Sequence, residues 1–404
     1  METSIVGTWR HPMALKNGTA SVTREELIRR AEKLVPILRE RAARCEELRR
    51  VPDETVADYF DAQIPRIAQP AVYGGLGFDI DMVYELATIL GRGCGSSAWM
   101  GCFWPLHNWM VGMWPKEAQD EYWADSKDVL SSTASAMVSS KAEPEPGGIR
   151  LSGRWNFASG IDHAKWVQLM LTGPTGAKFI LIPNTDYRIE DNWFVSGLRG
   201  SGSKGVSMED VFVPEHRILD GSLFLAGRAH GRALYGNPFY KLPLFGFIGY
   251  SLASSIIGMG QGTVDMFEQL MPGRTDIQTG RKVIEQSAPQ IRLAESSAEA
   301  DVAKLLMLRD LAELRRYGEA DEELSIDQRV RLRRDITYAV KISVRAANRL
   351  FEGAGAHAIY ETSPLQRMVR DINAASHSVA VAWDVPAENY GRVRFGLEPN
   401  TWQF

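Results

Sequence analysis

The sequence predicts an α+β fold in three parts: a helical N-terminal domain, a middle domain built on an antiparallel β-sheet, and a C-terminal four-helix bundle. Three observations predict it. The hydrophobic period is helical through the first ~125 residues, alternates between about Val129 and Pro214, and returns to helical after about Tyr235. Two stretches, Gly93 to Pro115 and Leu242 to Val264, carry no charged side chain, as helices buried on all sides do. A length of 404 residues exceeds what one hydrophobic core supports. The spans 1–128, 129–234 and 235–404 are therefore expected to form the three domains.

In the first span, Thr23-Arg24-Glu25-Glu26 is a capping box that opens a helix rich in Leu, Ile, Ala, Arg and Glu. Pro36 is expected to kink it. Val51-Pro52-Asp53 restarts a helix, Pro70 to Gly77 reads as a loop, and Asp81 to Leu90 as a helix leading into the first uncharged stretch. Trp114-Pro115 closes that stretch, and Pro115 suits the first turn of the next helix.

In the second span, Ile149 to Ser159 alternates, Trp166 to Thr172 and Lys178 to Pro183 are short apolar strands joined by a Gly-Pro-Thr-Gly turn, and Val206 to Pro214 is a strand ending on proline. In the third, helices run through the second uncharged stretch and then Gln286 to Gly318, Asp327 to Phe351 and Leu365 to Trp383. Long helices with short connections imply an antiparallel bundle. With no repeat and no low-complexity tract, the whole chain is expected to be ordered apart from a few residues at its start.

Composition excludes several function classes. The 46 Lys+Arg and 50 Asp+Glu leave a net charge of -4 with no basic block, which argues against nucleic acid as a partner. Both uncharged stretches are long enough to span a bilayer. Pro105, His107 and Asn108 in one, and Ser251, Ser254, Ser255 and Gln261 in the other, favour a buried core over a membrane. Cys45, Cys94 and Cys102 fit neither a disulfide framework nor a CxxC site and suit a reducing compartment. The N-terminus lacks the apolar core of a signal peptide, so a cytoplasmic location is expected.

Gly200 to Gly205 spells GxGxxG, but a strand pattern follows it where a dinucleotide site needs a helix. Its glycines still leave backbone N–H groups free to approach a ligand. The seven histidines never fall at HxH or HExxH spacing, so no metal is expected. Neither a GxSxG elbow nor a P-loop ending is present. The residues alone describe a large α-β-α chain with an interior pocket and scattered histidines.

A resemblance adds the chemistry. Leu151-Ser-Gly-Arg-Trp-Asn-Phe-Ala-Ser-Gly160, Asp162-His163-Ala164, the run from Gly197 to Arg217, the YGGLGFD loop at Tyr73, and GAGAHAIYETSPLQRMVRDINAASHSVAVAWD near the end carry it. Together they resemble the oxygenase components of two-component, reduced-flavin-dependent monooxygenases, built on the acyl-CoA dehydrogenase fold. The resemblance covers almost the whole chain. It implies a homotetramer that takes reduced FMN or FAD from a separate NAD(P)H:flavin reductase and, with O2, hydroxylates a small aromatic, phenolic substrate through a flavin hydroperoxide. Oxygenation of nitrogen or sulfur on the same fold, and acyl-CoA dehydrogenation, are the alternatives. Against the last, the family spacing from Arg370-Asp371 to a catalytic Glu lands on Val379 here, and an apolar side chain is no general base.

The resemblance also implies site residues. His377 matches the histidine that takes or shares the phenol proton. A phenol near ~10 giving its proton to an imidazole near ~6.5 is uphill by roughly 5 kcal/mol, so the pocket must help. Ser159 matches the serine that hydrogen-bonds flavin N5 and slows peroxide loss. Phe157 is assigned to the flavin because it shares the strand parity of Ser159. In the Ser131 to Ser135 run, Thr133 and Ser135 match the positions lining the flavin pyrimidine edge, and Arg274 matches an arginine that reaches a neighbouring subunit's flavin phosphate. His107, Trp104 and Tyr250 are assigned to the substrate pocket, with Phe103, Trp109, Phe239 and Phe245 as further aromatic wall. His163 is expected to be structural.

Overall fold

Thr23 accepts a hydrogen bond from the Glu26 N–H at 3.2 Å, and helix α1 (Arg24–Leu48) starts there. The computed structural model describes residues 22–173 and 176–401. The N-terminal stretch read above for a signal peptide, His11, and the Pro174-Thr175 turn lie outside the described residues.

α1 runs through Pro36 as one helix. The proline sits on the exposed face, where water can satisfy the carbonyl it leaves free, while Leu27, Ala31, Leu34, Leu38, Ala42 and Cys45 bury the opposite stripe on both sides of it. Then come α2 (Asp53–Asp61), α3 (Ile80–Gly91), α4 (Gly95–Val111) and α5 (Lys116–Tyr122), with Pro115 as the N-cap of α5.

Eight strands follow: β1 (Ser131–Ala134), β2 (Ala136–Glu145), β3 (Gly148–Ala158), β4 (Trp166–Gly173), β5 (Gly176–Pro183), β6 (Arg188–Glu190), β7 (Lys204–Pro214) and β8 (Ile218–Asp220). They form two four-stranded sheets, ordered β1-β4-β5-β8 and β2-β3-β7-β6. Leu151, Trp155, Val167, Leu169, Ile180, Ile182 and Val206 belong to the core of this region. The expected antiparallel sheet is corrected at one pair: β1 and β4 run parallel, Ser131 opposite Trp166 through Ala134 opposite Leu169. The chain leaves β1 to build the β2–β3 hairpin in the other sheet and re-enters in the direction it left, so β2 and β3 form the crossover.

Two short helices, α6 (Gly221–Leu225) and α7 (His230–Leu234), lead to α8 (Gly249–Leu270), α9 (Ser287–Ala320), α10 (Ile326–Ala354), α11 (Pro364–Ser376) and α12 (Asp384–Arg394). α8 packs against α9, α10 and α11 in the bundle and against α3 and α4 outside it. Glycines permit the closest approach: a Cβ on Gly258 would stand 2.2 Å from the Thr88 carbonyl oxygen, and one on Gly91 would stand 2.8 Å from the Gly258 Cα. Leu244–Gly273 is long and apolar enough to cross a membrane, but 78% of its apolar window is buried within the protein.

Candidate active site at the α4 and β1 boundary

Every residue of α4 is buried except Phe103. Trp99, Phe103 and His107 recur every fourth position and so share one face. Their rings pack along it at a tilt, Trp99 to Phe103 at 5.1 Å and Phe103 to His107 at 5.5 Å between centroids. One end of this stripe meets β1, and the other meets the end of β3.

At the β1 end, His107 Nδ1 lies 2.6 Å from the Ser131 carbonyl oxygen. A carbonyl only accepts, so Nδ1 carries the proton. Burial pulls the His107 pKa down to about 4, against the opposing pull of that hydrogen bond, so the ring is neutral. Gln168 on β4 donates from Nε2 to the His107 carbonyl at 3.0 Å and to Ser131 Oγ at 3.1 Å. Thr133 sits opposite Gln168 in the sheet register. The Thr133 hydroxyl and Gln168 Oε1 are both buried without a hydrogen-bond partner among the described residues. Ser135, two positions on, is exposed.

At the β3 end, Ser159 Oγ lies 2.7 Å from Ser203 Oγ, which lies 2.7 Å from Ser201 Oγ. Trp99 Nε1 donates toward Ser159 Oγ at 3.4 Å, and Ser132 Oγ donates to the Ser159 carbonyl at 2.8 Å. The GxGxxG run thus serves a hydroxyl chain: a short 3-10 turn at Arg199–Ser201 leads directly into β7, and the Gly160 N–H bonds the Ser201 carbonyl at 2.8 Å. Gly160 has φ 70, and a Cβ there would meet Met100 Cε at 2.3 Å.

The parity argument for Phe157 does not hold. Phe157 has φ 64, and the β3–β7 register shifts between Trp155 and Ala158, a bulge that breaks strand alternation before Ser159 is reached. The Phe157 ring is 59% exposed and stands edge-on to Trp193, with 6.0 Å between centroids.

Other expected residues lie elsewhere. Trp104 points away from the stripe into the core, edge-on to Tyr59 and His163, with its Nε1 buried and without a partner among the described residues. His163 is structural, its Nε2 2.8 Å from the Val51 carbonyl. Tyr250 is fully buried in the bundle, and its hydroxyl donates to Asp310 Oδ2 on α9 at 2.9 Å. Trp109 and Phe239 are fully buried core residues as well, whereas Phe245 is half-buried. Arg274 is half-buried and donates to the Ala354 carbonyl.

His377 is the exposed C-cap of α11, its Nδ1 2.6 Å from the Asn373 carbonyl, with the exposed Val379 two residues on. α11 is anchored beside the serine chain: Asp371 accepts the Leu198 N–H at 2.7 Å, and Cβ atoms on Gly197 and Gly95 would collide with the Arg370 carbonyl and the Asp371 side chain.

Sequence reasoning missed Trp99, Gln168 and Ser203. The signal for Trp99 was its fourth-position spacing with Phe103 and His107; for Ser203 it was the serines inside the glycine run. Gln168 gave none. The arrangement fits a flavin ring. The unpartnered Thr133 hydroxyl and Gln168 carbonyl suit a heterocycle bearing N–H donors and carbonyl acceptors, and the aromatic stripe suits a flat apolar face.

Comparison with known proteins agrees. The family model "Acyl-CoA dehydrogenase, C-terminal domain" matches residues 250–382. The FADH(2)-dependent resorcinol hydroxylase oxygenase component of Rhizobium sp. is 33% identical over 92% of this chain and 95% of its own length. The crystal structure of the 3-HSA hydroxylase of Rhodococcus sp. RHA1 superposes with a TM-score of 0.88 at 31% identity, covering 94% of this chain and 99% of that one. XiaF from Streptomyces sp., solved with FADH2 and glycerol, superposes with a TM-score of 0.86 at 27% identity, covering 94% and 97%.

Proposed function

Because the chain belongs to the oxygenase components of two-component flavin-dependent monooxygenases, with their acyl-CoA dehydrogenase-like fold, we propose that it hydroxylates a small phenolic compound, using O2 and reduced FMN or FAD supplied by a separate reductase. The observation that carries this reading is the 33% identity to a resorcinol hydroxylase oxygenase along 92% of the chain.

Reduced flavin, when bound, activates oxygen for transfer to the ring. The chain's part is to hold it, keep water out and manage protons. Thr133, Gln168 and, at the rim, Ser135 would hold its polar edge; the Ser159 hydroxyl, oriented by Ser203, would hydrogen-bond flavin N5 and keep its proton in place. Phe157 would guard the exposed side, and Arg274, which donates to the Ala354 carbonyl, would hold the phosphate of a flavin in a second subunit. The neutral His107 and the half-buried Phe103 line the substrate side, where a dry wall limits peroxide loss. At His377, Nδ1 donates to the Asn373 carbonyl, which leaves the Nε2 lone pair to take the phenol proton. The proposal includes three domains divided near residues 128 and 234, a cytoplasmic location, and a homotetramer, which a light-scattering mass of four 45.0 kDa chains tests.

The deciding experiment mixes the protein with reduced FMN or FAD in aerated buffer under stopped flow, then adds resorcinol or p-hydroxyphenylacetate. A transient absorbance distinct from reduced and oxidised flavin is expected, with a hydroxylated product when substrate is present. Flavin reoxidation at the rate seen without protein would overturn the reading.

A further inference from the structure

Arg333 on α10 is half-buried, and its Nε is buried without a hydrogen-bond partner among the described residues. Nη2 donates to the Ala380 carbonyl at 3.0 Å. Nη1 lies against the start of α8, where a Cβ on Gly249 would stand 2.4 Å from it. A glycine as the first residue of α8 thus leaves the room that the guanidinium occupies.

The arginines beside it on α10 are neutralised. Arg331 reaches Asp310, Glu313 and Asp335 at 3.3, 2.6 and 3.0 Å, and Arg334 pairs with Asp335. Arg333, between them, forms no ion pair among the described residues, and the Ala380 carbonyl is its hydrogen-bond partner there. The first turn of α8 carries no acidic residue, and its cap makes no side-chain hydrogen bond. The positive end of a 22-residue helix and a guanidinium therefore meet with nothing negative beside them. A cation held partly out of water without a counter-charge is costly, and burial pulls the Arg333 pKa below its ordinary value.

Two links tie this place to the proposed site. Ala380 lies in the 3-10 turn Val379–Val381, three residues after His377. Ser251, in the first turn of α8, accepts through its carbonyl from Cys102 Sγ at 3.1 Å, and Cys102 directly precedes Phe103 on α4. The guanidinium is thus held between the segment that follows His377 and the helix that packs beside the aromatic stripe.

We propose that Arg333 is a specificity-determining residue that binds the carboxylate of the substrate, which makes the substrate class a phenolic acid. Only one of its N–H groups is used by the protein at Ala380, and the planar fork that remains matches a carboxylate. A phenolic acid supplies the missing counter-charge. A neutral phenol leaves the cation unpaired, so the site discriminates by charge.

The inference rests on the reading that the substrate is a phenol, but its test needs neither flavin nor O2, so the two fail separately. Equilibrium dialysis compares p-hydroxyphenylacetate with its neutral amide, p-hydroxyphenylacetamide, on the wild-type protein. The acid is expected to bind about tenfold more tightly, as one charge-assisted hydrogen bond provides. In Arg333→Met the preference should vanish while affinity for the amide stays at the wild-type value; Arg333→Lys should keep part of it. Gly249→Ala, whose methyl group displaces Nη1 but leaves the charge in the chain, should also weaken binding of the acid relative to the amide. Equal binding of acid and amide by the wild type, absence of acid binding, or a preference that persists in Arg333→Met would overturn the proposal. The wild-type comparison decides even if a variant fails to fold.

Discussion

Asp371 on α11 accepts the Leu198 backbone N–H at 2.7 Å, so one carboxyl ties the bundle to the loop that leads into the serine chain. Burial, with the nearby Cys94 sulfur second, pushes its pKa from 3.8 up to about 7.

That shift has a sign. Between about 4 and about 7 the folded chain keeps a proton that the unfolded chain releases, so this carboxyl's contribution to stability is full at low pH and falls as pH rises through the window. Asp371→Asn keeps the acceptor and removes the titration. Its urea midpoint relative to wild type is expected to climb as pH rises from about 4 to about 7. A flat difference across that range refutes the assignment.

The Ser159 hydroxyl is the proposed contact to flavin N5. Losing a hydrogen bond of about 1.4 kcal/mol is about tenfold, so Ser159→Ala should shorten the stopped-flow transient about tenfold and raise peroxide release. Ser203→Ala acts only through Ser159 and should cost about threefold, with recovery in Ser203→Thr. An unchanged lifetime in Ser159→Ala removes Ser159 from the site.

Tyr250→Phe separates structure from substrate binding. It leaves Asp310 without one buried donor, at a cost of about 1–3 kcal/mol. The urea midpoint should therefore drop while KM stays at the wild-type value. A raised KM at unchanged stability would return Tyr250 to the substrate pocket.

Gly258→Ala tests the crossing of α3 and α8. A methyl group 2.2 Å from the Thr88 carbonyl must separate the helices. Overpacking of this kind costs about 1–3 kcal/mol, readable as a lower urea midpoint, whereas the half-buried Gly391→Ala, with nothing within 4 Å of the new methyl, should be near neutral. Equal effects would mean that the crossing carries no special constraint.

Much of the molecule was legible before any coordinates, because period and punctuation are local properties. The strand after Gly200-Ser-Gly-Ser-Lys-Gly was readable, and so was the burial of both uncharged stretches. Pro36 misled because a kink depends on which helix face meets solvent, a tertiary fact. The parity argument that put Phe157 with Ser159 failed because one left-handed residue shifts the parity of all that follows. Trp104 and Tyr250 were chosen for chemical type, and type does not tell which side of a buried helix a ring takes. The Asp371 to Leu198 bond was invisible, since it exists only once distant segments close on one another.

Phe103 is the one residue of α4 that is not buried, and this limits how the enzyme can diversify. Changes at the other positions of that helix meet packed neighbours and are filtered by folding before they can be tested on a new substrate. A mutational library built over α4 would therefore shrink, after selection for soluble protein, to variation at position 103, and any retuning of the aromatic wall from this helix has to pass through that single side chain.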